Sequence, residues 1–221
     1  KKENNLKFLV KSRYLWMNKY LINKKTIEIG SGSGLIKDIF PNYDITTTDI
    51  ENTKYIDYVL DANNINSSIS NYNVVIFSNV LHHLDNPVLT LKKLHENLKI
   101  DSFILINESS TSLLSRIIMY FLNHEGWSYK NNPYDYKKTF KFYNTPMSGN
   151  NALAKMIFDD NIKFTNTFPK FKILTNIYTE SLIFLISGGV GKKYFTIQLP
   201  NTILNLLYIF DKFISKYFYL I

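Results

Sequence analysis

The run Glu28-Ile29-Gly30-Ser31-Gly32-Ser33-Gly34 sets an acid two residues before the first of three glycines, which then fall at every second position. Such a turn lets backbone pass close to a nucleotide-like ligand and opens a helix whose first N–H groups are free to bind it. A dinucleotide turn has its third glycine three places after the second, under a pyrophosphate; here the interval is two, which disfavours a nicotinamide site. Asp49, 15 residues after Gly34 and followed by Ile50, ends a β-branched run. A carboxylate there can accept both hydroxyl protons of an unmodified ribose. Asp61 and Ala62 follow the next short apolar run, in reach of an adenine edge. Three strand ends in a row thus present one ligand with a glycine backbone and two acids. Structural alternatives are a tight turn for the glycines, a helix N-cap for Asp49 and strand-end turn chemistry for Asp61.

Proton chemistry has fewer candidates. His82 and His83 follow the fourth apolar run, and an imidazole is a ready general base for a hydroxyl. Adjacent side chains point in different directions, so at most one of the two is expected to face a ligand, and packing or capping is the alternative for each. His124 and Glu125 offer a second acid–base pair. Asp85 is near the histidine pair, but no further spaced ligand makes a metal site, so none is expected. His95 sits at an internal helix position and is expected to be a partly buried surface histidine. Aromatic residues between positions 127 and 143 suit either a sugar or nucleotide acceptor or the packing of a lid.

These residues need elements to hold them at one edge. Residues 6–22 read as a helix, 26–29 as a strand, and 35–40 as a helix that Pro41 ends. Strands follow at 44–50, 58–60, 73–78 and 103–106; the fourth is continuously apolar, as in a parallel sheet covered on both faces. Pro87 fits the first turn of a helix reaching about residue 98. Strand and helix alternate with short connections, which predicts an α/β, doubly wound, mostly parallel sheet. Past residue 108 the rhythm changes. An apolar helix is expected over 112–122, a cap or lid over 123–150, a helix over 151–158, a late strand over 171–178 and a long amphipathic helix over 202–220. One domain is expected over 1–221, with a cofactor half at 1–108, a lid at 109–170 and the late strand and terminal helix at 171–221.

The 221 residues include no cysteine, which excludes disulfides, thiolate nucleophiles and Cys-based zinc sites and points to a cytoplasmic protein. The first residues are charged and lack a signal-peptide core, and no long uncharged apolar run suggests a spanning helix. The net charge of +8 permits a nucleic-acid or membrane-surface partner, but lysines spread along the whole chain read as a solvated surface.

Residues 26–108 resemble class I S-adenosylmethionine-dependent methyltransferases, a Rossmann-like family. The likeness runs through the glycine loop, Asp49, Asp61-Ala62 and Ser78-Asn79-Val80-Leu81-His82-His83-Leu84, the last similar to the family's fourth motif. It implies that Glu28, Gly30, Ser31, Gly32 and Gly34 hold the methionine end of the cofactor. Asp49 would take the ribose with Ile50 beside it, Asp61 and Ala62 the adenine, and Ser78 and Asn79 the sulfonium region. The implied product is S-adenosylhomocysteine. A narrower likeness, to methyltransferases of bacterial surface-polysaccharide gene clusters, rests on His124-Glu125, Pro146-Met147-Ser148-Gly149-Asn150-Asn151-Ala152-Leu153 and Ser187-Gly188-Gly189-Val190. One departure stands out: the family's sheet ends in an antiparallel seventh strand, where residues 202–221 read as helix.

The function expected is methylation, on oxygen, of a small molecule or sugar and polysaccharide precursor, with His83, His124 or Glu125 as base. A nucleic-acid methyltransferase is disfavoured, because the fourth strand ends without the Asn/Asp-Pro-Pro-aromatic signature of enzymes that methylate flipped bases. A non-catalytic cofactor-binding protein is the alternative from another class. The helix at 202–220 is expected to dock on the domain or on a second subunit of a homodimer. A purified chain should then fail to pellet with anionic liposomes; contact with the inner membrane face is the rival reading.

Overall fold

The structure, a computed structural model, describes residues 4–112, 115–117, 120, 126–135, 149–180, 182–188 and 196–218. Strand β1 (Thr26–Ile29) lies between β2 (Ile45–Asp49) and β4 (Val74–Ser78), so Glu28 is level with Thr47 on one side and Ile76 on the other. Outside these run β3 (Tyr58–Val59) and β5 (Phe103–Asn107), giving the order β3-β2-β1-β4-β5 with every pairing parallel. Chain direction across the sheet reverses between β1 and β4. Ligands of open α/β sheets bind beyond the carboxyl ends of the strands at such a switch point.

Val74, Val75, Ile76 and Phe77 are fully buried, as expected of a central strand covered on both faces. The flanking helices are α2 (Asn18–Leu21), α3 (Leu35–Ile39) and α4 (Pro87–Asn97). Asn86 caps α4 by accepting the Leu89 N–H at 3.0 Å, and Pro87 occupies the first turn, where its missing N–H costs nothing. Val88, Leu91 and Leu94 form the buried stripe of this helix. Further on, α5 (Leu153–Phe158) and α6 (Asn161–Thr167) follow a described loop at 126–135.

The chain divides into two compact units. The larger, Met17–Ser110 with Glu125–Lys172, holds the whole sheet. The smaller takes Lys1–Trp16, Thr111–His124 and Ile173–Ile221. Its described helices include α1 (Asn4–Leu15), α7 (Leu182–Ser187) and α8 (Asn201–Phe218), around a core of Leu9, Ile183 and Leu204. Asn5, buried among them, donates to the Ile186 and Ile197 carbonyls and accepts the Leu199 N–H.

Two expectations are corrected. The helix expected over 6–22 is two helices, α1 and α2, broken at Trp16 and Met17, where the chain leaves the smaller unit for the larger. Met17, the first residue of the larger unit, is fully buried. No strand forms over 171–178. Phe171 instead turns back on Phe168, its N–H donating to the Phe168 carbonyl at 2.9 Å, and packs edge-on against His95. Leu174 and Ile177 are exposed and pair with no strand. Of the helix expected at 112–122, residues 112, 115–117 and 120 are described; 115–117 and 120 are helical and Ser112 is not. The lid region at 136–148 lies outside the described residues.

Candidate active site

Gly32 follows β1 with φ +53°, a left-handed conformation, and a Cβ built there meets nothing within 4 Å. Its N–H donates to Asp49 Oδ2 at 2.8 Å, so the β2 carboxylate and the glycine loop are joined across the carboxyl edge of the sheet. The other Asp49 oxygen accepts the Glu51 N–H at 3.1 Å. Carboxylate oxygens take more than one donor, so both retain capacity for ligand hydroxyls. Ile50, beside it, is exposed. Below the loop the Ser31 N–H donates to the Thr48 carbonyl at 2.8 Å, and the Thr48 hydroxyl donates to the Glu28 carbonyl at 2.9 Å. Glu28 itself is fully buried. Gly30 has another constraint: a Cβ there would collide with the Val80 side chain, so glycine lets the β1 turn pass the loop that follows β4.

Beyond β3, Asp61 caps the turn Ala62–Asn64, accepting the Asn63 N–H at 2.8 Å and both the Asn63 and Asn64 side-chain amides. Ala62 is buried, and its carbonyl accepts the Thr90 hydroxyl of α4 at 3.3 Å.

After β4 the chain enters a left-handed residue, Asn79, at φ 56°. Its N–H donates to the Asn107 carbonyl of β5 at 2.7 Å. Ser78 Oγ receives the Asn107 side-chain amide at 3.4 Å. Glu108, one residue on, organises the loop. Its Oε1 accepts the Val80 and Leu81 N–H groups, each at 2.6 Å, and its Oε2 lies 2.5 Å from His82 Nδ1. Both side chains of this pair are 3% exposed, so the contact lies inside protein. The His82 and His83 rings lie 4.0 Å apart between centroids, tilted by 39°, and His83 is the more open of the two. The two histidines of the turn Leu81–His83 thus differ in environment. One is buried and held by an acid; the other is half-buried.

Residues far along the sequence fasten this loop. Asn150 donates its N–H to the His82 carbonyl at 2.9 Å, and its side chain bridges both backbone groups of Ser128, at 2.8 and 3.0 Å. Asn151 accepts the Ser109 hydroxyl and donates its N–H to the Gly126 carbonyl at 3.2 Å. Both asparagines are almost fully buried. Sequence reasoning gave no site role to Glu108, Asn150 or Asn151. An acid one residue past a strand beside the switch point was the available signal for Glu108. His124 and Glu125 lie outside the described residues. Among the described residues no group of three or more His, Asp or Glu side chains could hold a metal ion.

A family model for a methyltransferase domain matches residues 18–145, more than half of the chain. The chain belongs to the methyltransferase domain family. Its cofactor is accordingly S-adenosylmethionine. The crystal structure of a SAM dependent methyltransferase from Archaeoglobus fulgidus is 17% identical, covers 96% of this chain and 88% of its own, and has a TM-score of 0.51, which shows the fold. The trans-methyltransferase CalH, solved with SAH, is 21% identical over 51% of this chain with a TM-score of 0.36. Human N-acetylserotonin methyltransferase, solved with SAM, is 14% identical over 74% of this chain and 49% of its own, with a TM-score of 0.38. This chain spans 37%, 32% and 29% of the lengths of CalH, the CurJ carbon methyltransferase and the citrinin polyketide synthase CMeT domain. No curated protein matches the sequence.

The site fits that cofactor on its own geometry. Open space over Gly32 is where a ligand would lie against backbone, and Asp49 borders it with spare acceptor capacity.

Proposed function

We propose that this methyltransferase-family protein transfers the methyl group of S-adenosylmethionine to a hydroxyl of a small molecule or sugar and polysaccharide precursor. The observation that carries the reading is the Gly32–Asp49 hydrogen bond at the edge of an open glycine turn. Glu28, Gly30, Ser31, Gly32 and Gly34 hold the methionine end, Asp49 and Ile50 the ribose side, and Asp61 and Ala62 the adenine. Asp61 would meet the adenine while its side chain caps the turn, since a carboxylate has about four acceptor sites. Ser78 and Asn79 border the sulfonium region.

The cofactor supplies a methyl group already activated by its positive sulfur. What remains for this chain is to align the acceptor and take its proton. His83 is the base favoured by position, because it follows β4 and is less buried than His82. His82, fixed by Glu108, holds the turn that carries it. His124 and Glu125 are the competing bases. The polysaccharide connection rests on Asn150 and Asn151, residues of the narrower likeness; Asn150 fastens the β4 loop at the His82 carbonyl, and Asn151 joins Ser109, beyond β5, to Gly126. On this reading residues 109–170 cap the acceptor, within one functional domain over 1–221.

The test is calorimetry with S-adenosylmethionine and S-adenosylhomocysteine, followed by methyl-transfer assays on a panel of sugars and sugar nucleotides. Micromolar binding to the wild-type chain is expected, and Gly32→Val should abolish it while circular dichroism is retained, because a branched side chain fills the space over the turn. Absence of heat and of any thermal shift with both ligands would overturn the reading.

A further inference from the structure

Along the sequence the lysines look evenly scattered. Grouped by compact unit they are not. The smaller unit carries 10 of the 26 Lys and Arg residues but 3 of the 18 Asp and Glu, a net +7 against +1 for the sheet-bearing unit. Two of those three acids are committed within the unit. Glu180 pairs with Arg13 at 2.7 Å, and Asp211 accepts the Leu182 and Ile183 N–H groups at the start of α7. Lys7, Lys11 and Lys212 are exposed.

The same unit displays apolar surface. Leu204, Tyr208, Asp211 and Ser215 turn one side of α8 inward, toward Leu9 and Ile183. Leu206, Ile209, Phe210 and Phe213, spaced three and four apart, make the opposite side and are 68, 65, 53 and 61% exposed. A stripe facing away from the inner side cannot be covered by the core it leaves behind. The helix therefore docks on protein through one side, as expected, while the other remains apolar.

We propose that this outer stripe of α8 lies on an anionic bilayer surface, with its four apolar side chains in the headgroup boundary and the unit's net positive charge attracted by the lipid charge. Apolar area and basic charge on one small unit are the two terms of interfacial binding. A second copy of the chain is a poorer occupant, because pairing this unit with itself would bring two charges of +7 together. A nucleic acid would meet aliphatic and phenyl groups where phosphate contacts need polar donors. None of the described helices is long and apolar enough to cross a membrane, so contact is in the plane of the surface. The proposal departs from the sequence-based expectation that the chain does not pellet with liposomes, and it stands apart from the methyl-transfer reading.

The experiment is co-sedimentation of the full chain with phosphatidylcholine vesicles, with and without about 30% phosphatidylglycerol, beside a Leu206→Gln/Ile209→Gln variant. Both positions are exposed, so the variant should keep its fold and its affinity for S-adenosylhomocysteine. Binding to the anionic vesicles alone, weakened about tenfold or more in the variant and by high salt, is the expected result. Failure of the wild-type chain to pellet, or equal pelleting of the variant, would overturn the proposal. So would a wild-type homodimer that the variant dissolves in the absence of lipid, or salt-sensitive binding to a random oligonucleotide without vesicle binding. Calorimetry with S-adenosylhomocysteine on the same samples reports the cofactor site separately.

Discussion

A carboxylate that accepts two backbone N–H groups and faces an imidazole has little freedom left, and Glu108 is in that state. Glu108→Ala would leave the Val80 and Leu81 donors and His82 without their acceptor in a buried place, a loss of about 3–5 kcal/mol. Glu108→Gln keeps an oxygen for the two donors and should cost less. Urea denaturation measures both, and equal, small losses would mean the loop holds itself. His83 calls for another readout. Once an acceptor is known, His83→Ala should lower turnover by about a hundredfold to ten-thousandfold with cofactor affinity unchanged, as for a general base. If His124→Ala or Glu125→Gln shows that pattern instead, the base belongs to the lid. At this scale the sequence was legible where chemistry is local. Glycines at alternate positions after a strand, then an acid at the end of the next, are short-range signals. Glu108 was not legible, because its partners lie 26 to 28 residues away and two of the three are backbone groups, which every sequence has.

Elements were read best where burial imposes a pattern. The apolar run of β4, the Pro87 start of α4 and the long helix α8 appear as expected, since each is dictated by periodicity or a fixed backbone angle. The strand expected at 171–178 failed because a strand is completed by a neighbour, and its apolar residues carry no information about one. Phe171 joined an aromatic group with Phe168 and His95 instead. The loop after β4 shows the same dependence on distant segments. Asn150 ties it to residues 126–130 through hydrogen bonds inside protein, so Asn150→Ala should cost about 1–3 kcal/mol by orphaning the Ser128 backbone groups. If the turn Leu81–His83 positions the acceptor, turnover should fall further than stability, which kcat and KM measured well below the melting temperature would separate. His95 gives an element-level pH effect. Burial first, and then the nearby Lys170 charge, hold its imidazole below the ordinary value of 6.5. A depressed histidine favours the neutral form when folded, so its contribution is complete above 6.5 and is lost as pH falls through the folded value. Melting temperature should drop on acidification below that point, and His95→Asn should flatten the slope.

On the scale of the molecule, every proposed cofactor contact lies in the sheet-bearing unit, whereas the core of Leu9, Ile183 and Leu204 belongs wholly to the other. Neither composition nor motif order announces this division, because the smaller unit is assembled from three separate stretches of chain. The division makes a claim that can fail. Leu204, 1% exposed, packs against the other two core residues, and its truncation leaves a cavity that a small core cannot close. Leu204→Ala should cost about 2–5 kcal/mol of local stability. Hydrogen exchange should then speed up across α8 and at the Leu182 and Ile183 amides, which depend on Asp211 of the same helix. Affinity for S-adenosylhomocysteine should stay within about threefold of wild type, since a twofold to threefold change is under 1 kcal/mol. A parallel collapse of cofactor affinity and α8 protection would mean that the two units fold as one cooperative body, and that the cofactor site draws its rigidity from helices that do not contribute a residue to it.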